Sequence, residues 1–151
     1  MLSATADHAV RAVLALARAR GCMRADEIAA ATGAPQNYMA KTLNALAKTG
    51  IVTSARGPAG GFTLALAPSA ISIARIVDCF DVPRAQTRCM LGSAACDPAA
   101  PCAAHESWTR VMRARREPLL STTIADLLAG APALPLPTGA RDQQVATPTA
   151  A

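Results

Sequence analysis

Aromatic residues are scarce in this chain, which has one Trp, one Tyr and two Phe among 151 residues. Because 52% of the residues are hydrophobic, a core can still form, and Ala, Leu, Val and Ile must fill it. No run of about 20 apolar residues exists, so no membrane-spanning helix is predicted. Asp7, His8 and Arg11 interrupt the apolar start and no basic segment precedes it, so we expect a cytoplasmic protein without a signal peptide.

Cysteine pairs of the Cys-x-x-Cys type are also absent, although five cysteines are present. Three of them, Cys89, Cys96 and Cys102, stand with gaps of six and five residues, and two residues separate the last from His105. The residues between them are mostly small or turn-forming, so this segment has little to pack with by itself. Soft thiolates with an imidazole suit an iron–sulfur cluster or zinc, and the trio therefore predicts a metal site.

Three other interpretations of these cysteines stay open. A Cys3His site suits tetrahedral zinc, although zinc sites more often contain closely spaced cysteine pairs. A redox enzyme would need a reactive thiolate, yet neither Cys96 nor Cys102 stands beside a Lys or Arg. A regulator switched by a disulfide would need no metal. Cys22 and Cys79 lie outside the trio, and we interpret them as incidental.

Positive charge is concentrated in the first half of the chain. Residues 1–66 contain seven Lys or Arg against three Asp or Glu, whereas residues 67–130 contain seven against six. A basic N-terminal half favours a polyanionic partner such as nucleic acid.

The N-terminal half has the pattern of a helix-turn-helix. Apolar residues at helical spacing predict helices over 4–19, 25–32 and 36–48, with Gly21, Gly33 and Gly50 after their ends. Short turns containing glycine between such helices are typical of DNA-binding helix-turn-helix units.

The third predicted helix has one apolar and one polar face. Its apolar stripe consists of Met39, Leu43, Leu46 and Ala47. Its polar stripe consists of Asn37, Lys41, Asn44 and Lys48, with Gln36 and Tyr38 at the exposed start. Amide side chains can bind adenine edges and Lys can bind guanine or phosphate, so this stripe is a candidate reading surface. An ordinary solvated helix face is the alternative.

A predicted β-hairpin follows, with strands over 51–54 and 62–66 joined by a glycine-rich tip. Gly57 and Gly60 would let the tip approach phosphates closely, and Arg56 could enter a minor groove. Three helices followed by such a wing, all in the basic half, predict binding to a double-stranded DNA operator.

The second half is predicted to be helical, with segments over 71–80 and 103–116. Trp108, Val111 and Met112 form an apolar seam on the longer helix, which is either a dimer contact or internal packing. Pro118 is expected to kink or end that helix, and Thr123-Ile124-Ala125-Asp126 resembles a capping box.

We therefore predict a mainly α fold with a small β-hairpin wing. Residues 1–67 would form the winged helix-turn-helix domain, 68–129 the metal-binding loop and dimerisation helix, and 130–151 a disordered tail.

These residues resemble the Rrf2 family of bacterial winged-helix transcription regulators. The resemblance runs from residue 1 to about 128 and rests on five stretches: SATADHAVRAVLALA, QNYMAKTLNALAKTGIV, SARGPAGGFTLAL, the cysteine trio and TTIADLL. It implies a homodimer joined through the long helix, with no enzymatic activity. An iron–sulfur cluster would adjust its affinity for DNA in response to nitric oxide, redox state or iron supply, and we expect the protein to act as a repressor.

The resemblance also implies roles for individual residues. Cys89, Cys96 and Cys102 would bind iron. The residues Gln36, Asn37, Tyr38 and Lys41 would meet the major groove or backbone, and Arg56 the minor groove.

The fourth cluster ligand has two candidates. His105 stands where regulators of iron–sulfur biogenesis place a histidine on a 2Fe–2S cluster, and we favour it because it is local. Asp7 stands where nitric-oxide sensors place an aspartate, given by the partner subunit to a 4Fe–4S cluster. The chain differs from the biogenesis regulators by a first cysteine gap of six and by Ala40 in place of a glutamate.

Overall fold

Local sequence signals set the ends of the first three helices. A computed structural model describes residues 2–57, 60–81 and 99–130. The helices α1, α2 and α3 span Ala4–Ala19, Ala25–Thr32 and Gln36–Lys48. The Ser3 hydroxyl accepts a hydrogen bond from the Ala6 N–H and caps α1, and Gly33 ends α2 with a φ of 71°. The bounds predicted from sequence are therefore confirmed for all three helices.

A single core forms where these helices meet. Their inward faces bury large aliphatic side chains almost completely, namely those of Val13, Leu16, Ile28, Met39, Leu43 and Leu46. Full burial of one such side chain contributes about 1.5–3 kcal/mol, so the core stabilises the helix-turn-helix unit without large aromatic residues.

An antiparallel hairpin follows α3. Strand β1 spans Val52–Ala55 and pairs with β2, Gly61–Leu64, so that Val52 lies opposite Leu64. The turn after α1 adds a further bridge, because Met23 exchanges two backbone hydrogen bonds with Phe62 at 3.0 and 2.8 Å. The predicted wing, and with it the mainly α fold class, is confirmed.

The next helix is shorter than predicted. A 3-10 turn at Pro68–Ala70 precedes α4, which spans only Ile73–Val77 instead of 71–80. The backbone of Ile71 accepts a hydrogen bond from the Ile124 N–H at 2.9 Å, and the Ile73 N–H donates to the Thr122 carbonyl at 3.0 Å. This pairing with a distant segment holds residues 71 and 72 extended, so the predicted helix start was wrong.

The longest helix in the described ranges, α5, spans His105–Ser121. The prediction that it ends near residue 116 was wrong, because the helix continues three residues beyond Pro118. Pro118 lacks an N–H but its carbonyl still accepts a hydrogen bond from the Thr122 N–H at 3.0 Å. None of the 17 residues of α5 is buried.

A short helix, α6, spans Ile124–Gly130 and begins with the predicted capping box. The Thr123 N–H donates to Asp126 Oδ2 at 2.8 Å, and the Asp126 N–H donates to Thr123 Oγ1 at 3.2 Å. The hydrogen bonds from the Thr123 hydroxyl and backbone lower the pKa of Asp126 below its ordinary range. Residues 131–151, including most of the predicted disordered tail, lie outside the described residues.

Considering only these described ranges, every helix is too short or too polar to cross a bilayer.

Candidate nucleic-acid interface and metal centre

Helix α3 presents its polar stripe to solvent. Its buried face consists of Met39, Thr42, Leu43 and Leu46. On the opposite side the predicted reading residues Gln36, Asn37 and Lys41 are exposed, as are Asn44 and Lys48. Three hydrogen-bonding side chains thus stand free at the N-terminal end of the second helix of a helix-turn-helix, the part that commonly enters a major groove.

Tyr38 differs from its neighbours because its side chain is half-buried against α1. Its hydroxyl forms a hydrogen bond with the Thr5 hydroxyl. The His8 ring lies edge-on to the Tyr38 ring, with 5.9 Å between centroids and an interplanar angle of 74°. These contacts fix the start of α3 on α1, and sequence reasoning missed both Thr5 and His8 because each lies about 30 residues away from Tyr38.

His8 is half-buried, and it contains the one buried side-chain nitrogen or oxygen atom without a hydrogen-bond partner among the described residues. Its Nδ1 atom is inaccessible to solvent and forms no hydrogen bond there. Since its ring packs edge-on against the Tyr38 ring, we interpret His8 as a packing residue for Tyr38.

The wing places its cation in solvent and needs glycine for its own geometry. Arg56 is exposed at the end of β1. Gly57 has a φ of 112°, and a Cβ on Gly60 would lie 2.4 Å from the Ala55 carbonyl oxygen. The Gly60 N–H also donates to the Gly57 carbonyl at 2.9 Å. Both glycines are therefore required by the turn, and Pro58 and Ala59 lie outside the described residues.

The structure describes only part of the candidate metal centre. Cys89 and Cys96 lie outside the described residues. Cys102 is exposed, and its carbonyl accepts a hydrogen bond from the His105 N–H at 2.9 Å, directly at the start of α5. The third cysteine and the candidate histidine are thus joined by one turn of backbone, as their sequence spacing indicates.

Asp7, the other candidate fourth ligand, lies in the first turn of α1. Its Oδ2 atom is 3.0 Å from an Arg11 guanidinium nitrogen. The Asp7 side chain is 45% exposed and the Arg11 side chain is 35% exposed. The carboxylate remains accessible to a partner molecule on one side.

No group of three His, Cys, Asp or Glu side chains that could hold a metal lies together within the part of the chain that the structure describes. Because two of the three thiols fall outside that part, the fit rests on donor chemistry. Three thiolates with an imidazole or a carboxylate are a ligand set that iron–sulfur clusters use.

Known proteins resemble this chain in sequence and in structure. The sequence model of the Rrf2 family, an iron-dependent transcriptional regulator, matches residues 2–130. A helix-turn-helix transcriptional regulator of Mycobacterium tuberculosis is 37% identical over 133 residues, which is 86% of this chain and 82% of the relative.

Two solved structures share the fold. One is CymR, the global cysteine regulator of Bacillus subtilis, with a TM-score of 0.72, 26% identity, and coverage of 87% of this chain and 98% of CymR. The other is IscR of T. potens, with a TM-score of 0.69, 27% identity, and coverage of 85% and 86%. The chain therefore belongs to the Rrf2 family of DNA-binding transcriptional regulators, which are not enzymes.

Proposed function

We propose that this protein is a dimeric transcriptional repressor whose affinity for its DNA operator depends on an iron–sulfur cluster. The observation that carries the DNA part is the pairing of an exposed polar stripe on α3 with an exposed arginine on the adjacent wing. Since its partner would be chromosomal DNA, we expect it in the cytoplasm, associated with the nucleoid.

Gln36, Asn37 and Lys41 are assigned to the major groove, and Arg56 to the adjacent minor groove. Tyr38 is assigned to the same surface, where its ring supports the start of α3 while its hydroxyl is held by Thr5. Gly57 and Gly60 shape the tip of the wing that would bring Arg56 to the minor groove of the DNA. Amide and ammonium groups read base edges, whereas an arginine in a narrow groove senses shape.

The DNA assignment is tested with duplexes selected by the protein from a randomised pool. Lys41→Ala and Arg56→Ala should each weaken binding and make it less steeply dependent on salt, since each removes a positive charge that displaces counterions from the duplex. Arg113→Ala, which removes an equal charge from α5, is the matched control and should bind as the wild type does. Wild-type affinity and salt slope in both wing and helix variants would overturn the assignment.

Cys89, Cys96 and Cys102 are proposed as cluster ligands, completed by His105 or by Asp7 of a second copy. A bound cluster would supply a redox-active and nitric-oxide-reactive iron centre. Cys102 and His105 lie at the start of α5, so ligation there would fix the position at which that helix begins.

Protein prepared without oxygen tests this proposal through iron and sulfide analysis and visible absorption. Equal amounts of iron and sulfide support a cluster, and comparison of His105→Ala with Asp7→Ala assigns the fourth ligand. Zinc at one ion per chain would indicate the Cys3His alternative. Metal-free protein with DNA affinity that changes on adding a reductant would indicate a disulfide switch.

The dimer is proposed on the exposure of α5. Its Val111 and Leu120 side chains are 56% and 52% exposed, which is high for large aliphatic residues. Because the two side chains face opposite sides of α5, a second copy would have to contact both flanks of the helix to cover them, and a dimer through α5 would match the two-fold symmetry of an operator. Sedimentation equilibrium should give a dimer for the wild type and a monomer for the Val111→Glu, Leu120→Glu double variant.

A further inference from the structure

A long-range ion pair joins α5 to Asp78, the residue that ends α4. Arg116 Nη1 donates to Asp78 Oδ1 at 2.9 Å, and Arg116 Nη2 donates to Asp78 Oδ2 at 2.7 Å. The ion pairs of Arg11, Arg24 and Arg110 join side chains at most four positions apart. This two-pronged contact therefore differs from them in linking separate parts of the fold.

Its geometry suits orientation more than stability. Two parallel hydrogen bonds between a planar guanidinium and a carboxylate fix an angle as well as a distance. Both side chains are about one-third exposed, at 30% and 34%, so screening by water limits what the pair adds to folding. The hydrogen bond from Arg116 nevertheless lowers the pKa of the Asp78 carboxyl, so the pair is ionised at neutral pH.

Cys79, the residue after Asp78, contacts the C-terminal end of α3. The Cys79 sulfur lies 3.5 Å from the Thr49 hydroxyl oxygen and 3.2 Å from the Arg75 carbonyl oxygen. Thr49 caps the C-terminus of α3, where its hydroxyl donates to the Leu46 carbonyl at 2.9 Å. Two consecutive residues after α4 thus contact α5 on one side and the end of α3 on the other.

We propose that Asp78 and Arg116 are positioning residues that hold α5 at a fixed angle to the recognition helix and thereby set the spacing of the two operator half-sites. This inference rests on the proposed dimer through α5. In a two-fold dimer, any rotation of α5 against its own domain moves the two α3 helices relative to each other. A dimer with a fixed α3 separation accepts only one half-site spacing.

The test uses a duplex selected from a randomised pool and a second duplex with one base pair inserted between its half-sites. For the wild type we expect the insertion to weaken binding by about 10-fold or more, within the usual range of coupling between sites. In Asp78→Asn and Arg116→Lys that ratio should fall several-fold, because neither retains an ionised two-pronged contact. Arg113→Lys, the same change elsewhere on α5, should keep the wild-type ratio.

A purely structural role would lower affinity for both duplexes equally and leave their ratio unchanged, and this result would overturn the inference. A wild-type protein indifferent to the insertion would overturn it as well. If a single variant fails to fold by circular dichroism, the exchanged pair Asp78→Arg with Arg116→Asp should restore both folding and spacing discrimination. Failure of the proposed function is distinct, since it appears as a monomer or as a wild type that selects no duplex.

Discussion

The helix-turn-helix unit in the first half and the long helix α5 in the second half are stabilised in different ways. The helix-turn-helix buries Val13, Leu16 and Leu43 to 1% exposure or less in a shared core. The long helix α5 buries none of its residues and is tied to that core by an ion pair and by backbone contacts around α4. Ile71, Ile76 and Ile124 from the second half complete the same core, whereas α5 has exposed surface that a second copy or a cofactor could cover.

Loss of a cysteine ligand should have the largest effect, on the metal content of the second half. Cys102→Ser removes one thiolate from the proposed cluster, so iron content and visible absorption should fall to near zero. Because Cys102 is exposed, the free energy of unfolding of the metal-free protein should stay unchanged. Cys22→Ser, which also alters an exposed cysteine, is the control and should retain the cluster. Full iron loading of the Cys102 variant contradicts the assignment.

Truncating the core should destabilise the protein far more than truncating the exposed face of α5. Leu43 is fully buried, so Leu43→Ala should reduce the free energy of unfolding by about 2–5 kcal/mol through lost burial and a residual cavity. Val111→Ala, on the exposed face of α5, should change it far less at concentrations where the protein is monomeric. Urea denaturation followed by circular dichroism measures both. Equal losses would contradict the exposure of Val111 on α5.

Filling the wing turn should produce a smaller loss. A Cβ on residue 60 would approach the Ala55 carbonyl oxygen to 2.4 Å, so Gly60→Ala should destabilise the protein by about 1–3 kcal/mol and weaken DNA binding. Gly130→Ala is the matched control, because a Cβ there meets nothing within 4 Å. Thermal unfolding and DNA titration of the two variants separate wing distortion from a general effect of alanine.

The pH dependence of the Asp78–Arg116 pair should give the smallest effect. The folded-state pKa of Asp78 lies below its ordinary 3.8, so its ionised form stabilises the fold. That contribution is fully present above pH 3.8 and is lost as pH falls through the lowered pKa. Since the pair is partly exposed, wild type and Asp78→Asn should differ by about 0.5–1 kcal/mol at neutral pH, and the gap should close in acid. A gap that persists in strong acid would assign it to another cause.

Much of the structure of the helix-turn-helix unit can be predicted from local sequence signals. The bounds of α1, α2 and α3 agree with the apolar periodicity and with the cap at Ser3 and the glycine at Gly33. The capping box at Thr123 also formed as predicted, because its two hydrogen bonds join residues three apart. Signals that act within one helical turn need no help from distant residues, so they can be read from sequence.

Predictions failed where distant segments intervene. Helix α4 starts later than its apolar pattern indicates because Ile71 pairs with Ile124 across more than 50 residues. The end of α5 was predicted wrongly for a local reason, because the Pro118 carbonyl still accepts a hydrogen bond from the Thr122 N–H and the helix continues past the proline. Of the candidate metal site, the sequence predicts the donor types, and the structure describes only Cys102, His105 and Asp7.

By itself the sequence determined the order of the main helices and the hairpin, the polar face of α3 and the glycine-dependent wing, and it gave the donor types of the proposed metal site. Each of these depends on residue type or on spacing within a few positions. Only the tertiary structure decided that Tyr38 is held by Thr5 and that Asp78 meets Arg116. Such pairs lie 33 and 38 residues apart, and their contact depends on how whole helices pack, which no local pattern encodes.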